Sequence, residues 1–311
     1  MTKAVEGARW EWDCGDPVLL VDRNVARDVK LTRVPPKGNV VGATAMHTGE
    51  EVDAIAWKWP DDGRVFLVPR ELLRQLKPTM PLVRDVIVAA GHLYRTSGYP
   101  ENRVIETSYR QLAQTLALSW TGKLVADKEK VIGPLEMALT LARWLTIKGQ
   151  PVIRRVDQHG RIEEISYETF GFIDRVSRIA VRNGRELPVN KQPLEIELSA
   201  MYTLMLEMLP AVPFPVKALE AAHRAPRRLR TATKNLAYYL AGRVPLEKIT
   251  LAVSTLADIT GFRNSHRTEL RRSVERVVGI LNPIMIRDYY VEGDVYVFEL
   301  AGRLCTKSDG R

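Results

Sequence analysis

The chain has 311 residues, of which 45% are hydrophobic and 27% are charged, and its net charge is +9. This length and apolar content allow two or three globular domains, each with its own core. The sequence has no apolar run of about 18 residues, and its N-terminus lacks the apolar region of a signal peptide; both features argue against membrane and secreted proteins and predict a cytoplasmic one.

Short strand-like runs dominate the first 78 residues. Apolar runs alternate there with turn residues such as Pro35 and Pro36. This pattern predicts a small, antiparallel, barrel-like β-rich domain over residues 1–78. A short helix closes it, and the segment KPTMP at 77–81 is predicted to be a linker. Alternatively, the strands form a sheet attached to the next domain.

Residues 79–192 follow the order helix, helix, helix, hairpin. Helical periodicity predicts the three helices; Thr107 or Ser108 caps the second, and the third opens at Gly133. Two strand-like runs around a basic turn then predict a hairpin within 151–172.

The same order returns in residues 193–304. An amphipathic helix, a short helix ended by Gly261, a third helix and a hairpin about the turn EGD follow one another. Three helices followed by a hairpin is the order of a winged helix, whose third helix enters the major groove of DNA. The sequence therefore predicts an α+β protein in which tandem winged-helix domains follow the β-rich domain, with residues 305–311 as a C-terminal tail.

The positive charge is concentrated in one part of the chain. Residues 217–276 contain thirteen basic and five acidic residues, a surplus of eight charges. A local surplus of this size is typical of a surface that binds a polyanion, and double-stranded DNA is the first candidate. A membrane surface is not favoured, because a folded hairpin follows the basic segment.

The start of the third helix in this basic segment is the predicted site of base recognition. Its apolar stripe includes Leu270 and Val274, so the arginines of its first turns are expected to face outward. Arginine can contact guanine or a phosphate at two points. The alternative is a solvated face whose arginines pair with Glu269 or Glu275. The predicted DNA-binding residues here are Asn264, Ser265, His266, Arg267, Thr268, Arg271 and Arg272.

Two further basic groups are predicted to contact phosphates. Phosphate contacts position a protein on DNA without reading its sequence. The first group could instead be a linker made soluble by its charge. The groups are Arg224, Arg227, Arg228 and Arg230 before the second domain's first helix, and Arg154, Arg155 and Arg161 in the first domain's hairpin.

Residues 82–300 resemble the plasmid replication initiator (Rep) proteins, which have two consecutive winged-helix domains. The matching stretches include SYRQLAQTL, PLEIELSAMYTLMLEML, ITLAVSTLADITGF and GDVYVFEL. The resemblance implies binding to repeated origin sequences (iterons), opening of an adjacent AT-rich region, and recruitment of host initiator, helicase and polymerase. It also implies a switch between a homodimer and a monomer. Residues 1–80 have no counterpart in the pattern.

No catalytic or cofactor site is predicted. The five histidines stand alone, and the two cysteines are too far apart for a metal or redox motif. A phosphate-binding GxxxxGK[ST] loop is also missing. We therefore expect a protein that is not an enzyme and that needs no metal or cofactor. Two other hypotheses remain open: a transcriptional regulator with tandem winged helices, and a protein-interaction scaffold.

Overall fold

A computed structural model describes residues 9–13, 17–27, 40–47, 50–58, 65–156, 162–262 and 267–305. The helices are α1 (Arg23–Arg27), α2 (Leu73–Thr96), α3 (Tyr109–Thr115), α4 (Leu124–Asp127), α5 (Gly133–Trp144), α6 (Ala200–Met208), α7 (Val216–Arg224), α8 (Arg227–Ala241), α9 (Val253–Thr260) and α10 (Arg267–Leu281). The N-terminal strands are β1 (Arg9–Trp12), β2 (Val18–Asp22), β3 (Val40–His47), β4 (Glu50–Lys58) and β5 (Val65–Pro69). The middle strands are β6 (Val104–Ser108), β7 (Thr146–Val156), β8 (Ile162–Gly171), β9 (Ile173–Arg178), β10 (Val181–Arg182), β11 (Arg185–Glu186) and β12 (Pro193–Leu198). The C-terminal strands are β13 (Ala211–Pro215), β14 (Lys248–Ala252), β15 (Ile286–Glu292), β16 (Val295–Leu300) and β17 (Gly302–Cys305). The protein is therefore α+β, as predicted.

The chain folds into two compact units. The terminal unit comprises Met1–Val29, Thr115–Leu118 and Ala211–Arg311, and the central unit comprises Lys30–Gln114 and Ser119–Pro210. This division differs from the predicted boundaries after residues 78, 192 and 304, because the residues assigned to one N-terminal domain contribute to both units.

Strand pairing explains this difference. In the terminal unit β1 pairs with β17 and β2 pairs with β13, and the indole of Trp12 donates a hydrogen bond to the carbonyl of Pro213 at 2.9 Å. In the central unit β3, β4 and β5 continue through β7 and β8 into one sheet. Within the described residues this sheet is open, with β3 and β8 at its edges, where the sequence predicts a barrel-like domain.

Residues 77–81, predicted to be a linker, lie inside the long helix α2. Prolines at 78 and 81 each remove a backbone donor and disfavour a helix interior. Tertiary packing outweighs that preference, because Met80 and the residues from Val83 to Ala90 are all buried. The linker prediction is therefore wrong.

The two units contain the same topology. The central unit has the order α2, β6, α3, α5, β9, β12, and these strands form a sheet in the spatial order β6-β12-β9. The terminal unit has the order α8, β14, α9, α10, β15, β16, with the spatial order β14-β16-β15. In both cases a strand between the first two helices pairs with the last strand of the set.

The hairpin predicted within residues 151–172 forms, as β7 and β8, but it lies in the five-stranded sheet. Its strand β7 pairs with β5, so that each of these two strands covers an edge of the other. The three-stranded sheet is instead completed by β9 and β12, and the loop between them carries the small hairpin of β10 and β11. The prediction that the 151–172 hairpin completes this set of elements is corrected accordingly.

Local sequence explains the ordering of the helices in the terminal unit. Helix α9 ends at Gly261, whose φ of 79° lies in the left-handed region that glycine adopts without a steric penalty. Helix α10 buries Val274, Val277 and Val278, which recur at spacings of three and four. Burial of each such side chain contributes roughly 1.5–3 kcal/mol, which fixes the side of α10 that faces the core.

Candidate nucleic-acid interface

The outer side of α10 is the first candidate interface, and we call it the α10 face. Because one stripe of the helix is buried, the remaining positions face solvent. Thr268 and Arg272 were predicted from the sequence and are exposed. Arg276 is also exposed and was missed, although it lies four residues after Arg272 on the same side. The face consists of Arg267, Thr268, Arg271, Arg272 and Arg276.

Two arginines of the α10 face are bound by one carboxylate. Asp294, in the turn between β15 and β16, accepts a hydrogen bond from Arg271 at 2.8 Å and forms an ion pair with Arg267. Arg271 also donates to the carbonyl of Gly293. The sequence predicted free arginines or pairing within the helix, and Asp294 was missed because nothing in the helix pattern points to a residue 23 positions away.

These ion pairs remain open to exchange with another anion. The side chains of Arg267 and Asp294 are 61% and 48% exposed, and that of Arg271 is 34% exposed. Exposed ion pairs contribute only about 0–1 kcal/mol because water screens them. A phosphate could therefore replace Asp294 as the partner of either guanidinium group at little cost.

Arg272 and Arg276 differ from these two arginines. Both are exposed, and neither forms an ion pair within the described ranges. Their spacing of four places the two guanidinium groups one helical turn apart on one side of α10. They are the cations of the α10 face that are available without exchange of a partner.

A cleft of about 580 Å³ lies beside the α10 face. Arg267, Thr268 and Arg271 line it from the helix, and Val291 and Gly293 line it from the hairpin of β15 and β16. The cleft therefore lies where the first turns of α10 meet the hairpin turn.

Two pKa shifts describe the electrostatics of this hairpin. Burial raises the pKa of the Tyr296 phenol to about 12, and Glu275 adds to the effect, so the buried phenol stays neutral. A hydrogen bond to Glu299 raises the pKa of Lys248, which keeps this exposed ammonium group charged. Neither group is available as a proton donor or acceptor near neutral pH.

A second cluster, which we call the basic corner, lies where α7 meets α8. It comprises Arg224, Arg227, Arg228 and Arg230, all of them exposed. Arg224 pairs with Glu220 at 3.5 Å, and Arg230 donates to the carbonyl of Ala225 at 3.0 Å.

The other two cations of the basic corner are available to a ligand. Arg227 and Arg228 form no ion pair with any residue that the structure describes. The first turn of α8 contains no acidic residue to balance them. The partial positive charge of the helix N-terminus adds to theirs, so the corner favours an anion such as phosphate.

The corresponding helix of the central unit offers no such surface. Pro134 is the only exposed residue of α5. Glu136 accepts hydrogen bonds from Tyr109 at 2.9 Å and Arg178 at 2.6 Å, and Arg143 donates to the carbonyl of Asp174 at 3.2 Å. Burial and the hydrogen bond to Glu136 raise the pKa of Tyr109. The polar groups around α5 are thus engaged within the unit.

Part of the predicted site cannot be placed. Arg154 and Arg155 belong to β7 in the five-stranded sheet, and only their backbone is described. Arg161, Asn264, Ser265 and His266 lie outside the described residues.

Two searches over the described ranges complete the description of the site. No group of three or more histidine, cysteine, aspartate or glutamate residues there is arranged to hold a metal ion. No helix in those ranges combines the length and apolar character needed to cross a membrane.

Comparisons with known proteins give distant structural matches. No family model and no curated protein matches the chain. A crystal structure of domains 2 and 3 of RctB, as a selenomethionine derivative, matches 90% of this chain and 98% of its own, with 11% sequence identity and a TM-score of 0.46. Another crystal structure of RctB domains 2 and 3 matches 89% of this chain and 96% of its own, with 10% identity and a TM-score of 0.42.

Proposed function

We propose that this protein binds double-stranded DNA sequence-specifically through two winged-helix domains, one in each unit. The observation that carries the proposal is the α10 face. The third helix of the terminal unit's repeated topology presents two available arginines, and two more that are bound only by an exposed carboxylate. That is the position from which a recognition helix contacts base edges in the major groove.

The proposed division of labour follows from the charges. Arg272 and Arg276 contact bases, and each two-point contact with guanine contributes about 1–3 kcal/mol of discrimination. Arg227 and Arg228 contact phosphates and position the domain on the duplex. The central unit contributes no base contacts through α5, because that helix has no exposed cation.

Within this class we propose a plasmid replication initiator that acts in the cytoplasm. The support is the sequence resemblance of residues 82–300 to the Rep proteins, together with the use of one topology twice. Binding to iterons, recruitment of host initiator, helicase and polymerase, and a homodimer in exchange with a monomer are parts of this proposal. So is the lack of catalytic activity.

Binding of the full chain to a mixed-sequence duplex between about 50 and 200 mM salt tests the DNA-binding proposal. We expect log K to fall with log salt by about 0.9 for each phosphate contacted, and selection from a random duplex library to enrich one motif. A scaffold protein would show no salt-dependent binding, and that outcome would contradict the proposal.

Footprinting on the DNA that flanks the gene tests the narrower role. An initiator protects a series of direct repeats, whereas a transcriptional regulator protects a single inverted site. The second pattern would contradict the initiator proposal while leaving the DNA-binding proposal in place.

A further inference from the structure

The small hairpin of the central unit has an unusual arrangement of charge. Arg182 in β10 lies directly opposite Arg185 in β11, on either side of the turn formed by Asn183 and Gly184. All four residues are exposed. Both turn residues have positive φ, 52° and 73°, as a two-residue type I′ turn requires. The geometry holds the two arginine Cβ atoms about 5 Å apart on one side of the ribbon.

No acidic group compensates these two arginines. Directly opposed like charges destabilise a β-ribbon. Within the described ranges neither guanidinium group forms an ion pair. The adjacent Glu186 pairs with Val181, so its side chain lies on the other side of the ribbon. An arrangement that opposes folding and is left uncompensated points to an external anion as the missing partner.

The base of the hairpin is firmly attached to the central unit. The amide of Leu187 donates to the carbonyl of Ala180 at 2.7 Å, and the side-chain amide of Gln192 donates to the carbonyl of Leu187 at 2.8 Å. The amide of Ile179 donates to the carbonyl of Pro193 at 3.0 Å. These bonds fix the direction of the ribbon, so that its exposed end is presented as a preformed surface.

We infer that Arg182 and Arg185 bind the phosphates on the two sides of the minor groove of duplex DNA; this inference rests on the proposed function. Two guanidinium groups that diverge from neighbouring Cβ atoms match two rows of phosphates, because the minor groove is about 6 Å wide. Asn183 at the tip adds an amide of the kind that proteins use to contact the minor groove. This pair replaces Arg154, Arg155 and Arg161 as the cationic hairpin of the central unit's repeated topology.

The test compares the full-length protein with two double variants. Arg182→Gln with Arg185→Gln removes the proposed contacts. Arg70→Gln with Arg175→Gln is the matched control, because it removes two equally exposed arginines of the same unit that already pair with Asp53 and Glu197. Binding to a mixed-sequence duplex is measured as a function of salt, and hydroxyl-radical footprinting reports access to the minor groove. Thermal melting establishes that both variants are folded.

The inference predicts that the hairpin variant lowers the salt slope by about 1.8, since each phosphate contact contributes about 0.9. It also predicts the loss of one protected patch in the footprint, while the control keeps the wild-type slope and pattern. A hairpin variant with an unchanged slope and footprint would overturn the inference and leave the proposed function standing. A wild-type protein that binds no duplex would overturn both.

Discussion

Substitution of Asp294 by asparagine should strengthen binding to DNA. The carboxylate of Asp294 holds Arg267 and Arg271 through exposed ion pairs, so its loss releases two cations of the α10 face. The fold should tolerate the change, because each exposed ion pair contributes only about 0–1 kcal/mol to stability. The substitution also removes one negative charge that a DNA phosphate would face across the guanidinium group.

The size of the effect follows from the geometry. Asp294 lies 2.8 Å from a terminal nitrogen of Arg271. A phosphate bound on the far side of that guanidinium group would be about 7 Å from the carboxylate, where two unit charges repel by about 0.6–2.4 kcal/mol for dielectric constants of 80 to 20. Removal of this repulsion corresponds to about a 3- to 60-fold gain in affinity, and salt screening favours the lower part of that range.

Fluorescence anisotropy with a mixed-sequence duplex measures this gain. Glu292→Gln is the matched control, since it removes the same charge from the same exposed hairpin but contacts neither arginine within the described ranges. We expect a smaller gain from the control. Equal or weaker binding by the Asp294→Asn protein, relative to wild type, would refute the role given to this carboxylate.

Three further predictions concern stability. Gly261→Ala should lower the free energy of unfolding by about 1–2 kcal/mol in urea titrations, because alanine is strained at a φ of 79°. Gly302→Ala should also destabilise the protein, by about 1–3 kcal/mol, because a Cβ there would lie 2.6 Å from the carbonyl oxygen of Glu11; an unchanged midpoint would contradict the pairing of β1 with β17. Burial lowers the pKa of His92 below 6.5, so the unfolded chain binds a proton first as the pH falls. The free energy of unfolding should therefore decrease between about pH 7 and pH 5, and His92→Gln should reduce that decrease.

Local features of the fold could be predicted from the sequence. The end of α9 at Gly261 and the buried stripe of α10 depend on residues within one or two helical turns, so their patterns are visible in the chain. The cap of α3 is equally local, and the amide of Gln111 donates to Ser108 at 3.1 Å as one of the two predicted caps requires.

Features that depend on distant pairing could not be predicted. The pattern of β7 and β8 identifies a hairpin, but only the partner strand β5 decides which sheet it joins. The N-terminal strand β1 finds its partner at the other end of the chain, in β17. Asp294 is missed for the same reason, because its contact with α10 exists only once the hairpin of β15 and β16 is folded against the helix.

The central claim is that α10 reads bases while the basic corner contacts phosphates, and the base preference of two single variants tests it most directly. Motifs selected from a random duplex library would be compared for wild type, Arg272→Ala and Arg228→Ala. The account predicts that Arg272→Ala loses preference at one position of the motif, with a cost of about 1–3 kcal/mol there, and that Arg228→Ala weakens binding to all sequences alike and lowers the salt slope by about 1. An unchanged motif for Arg272→Ala, with unchanged affinity, would contradict it.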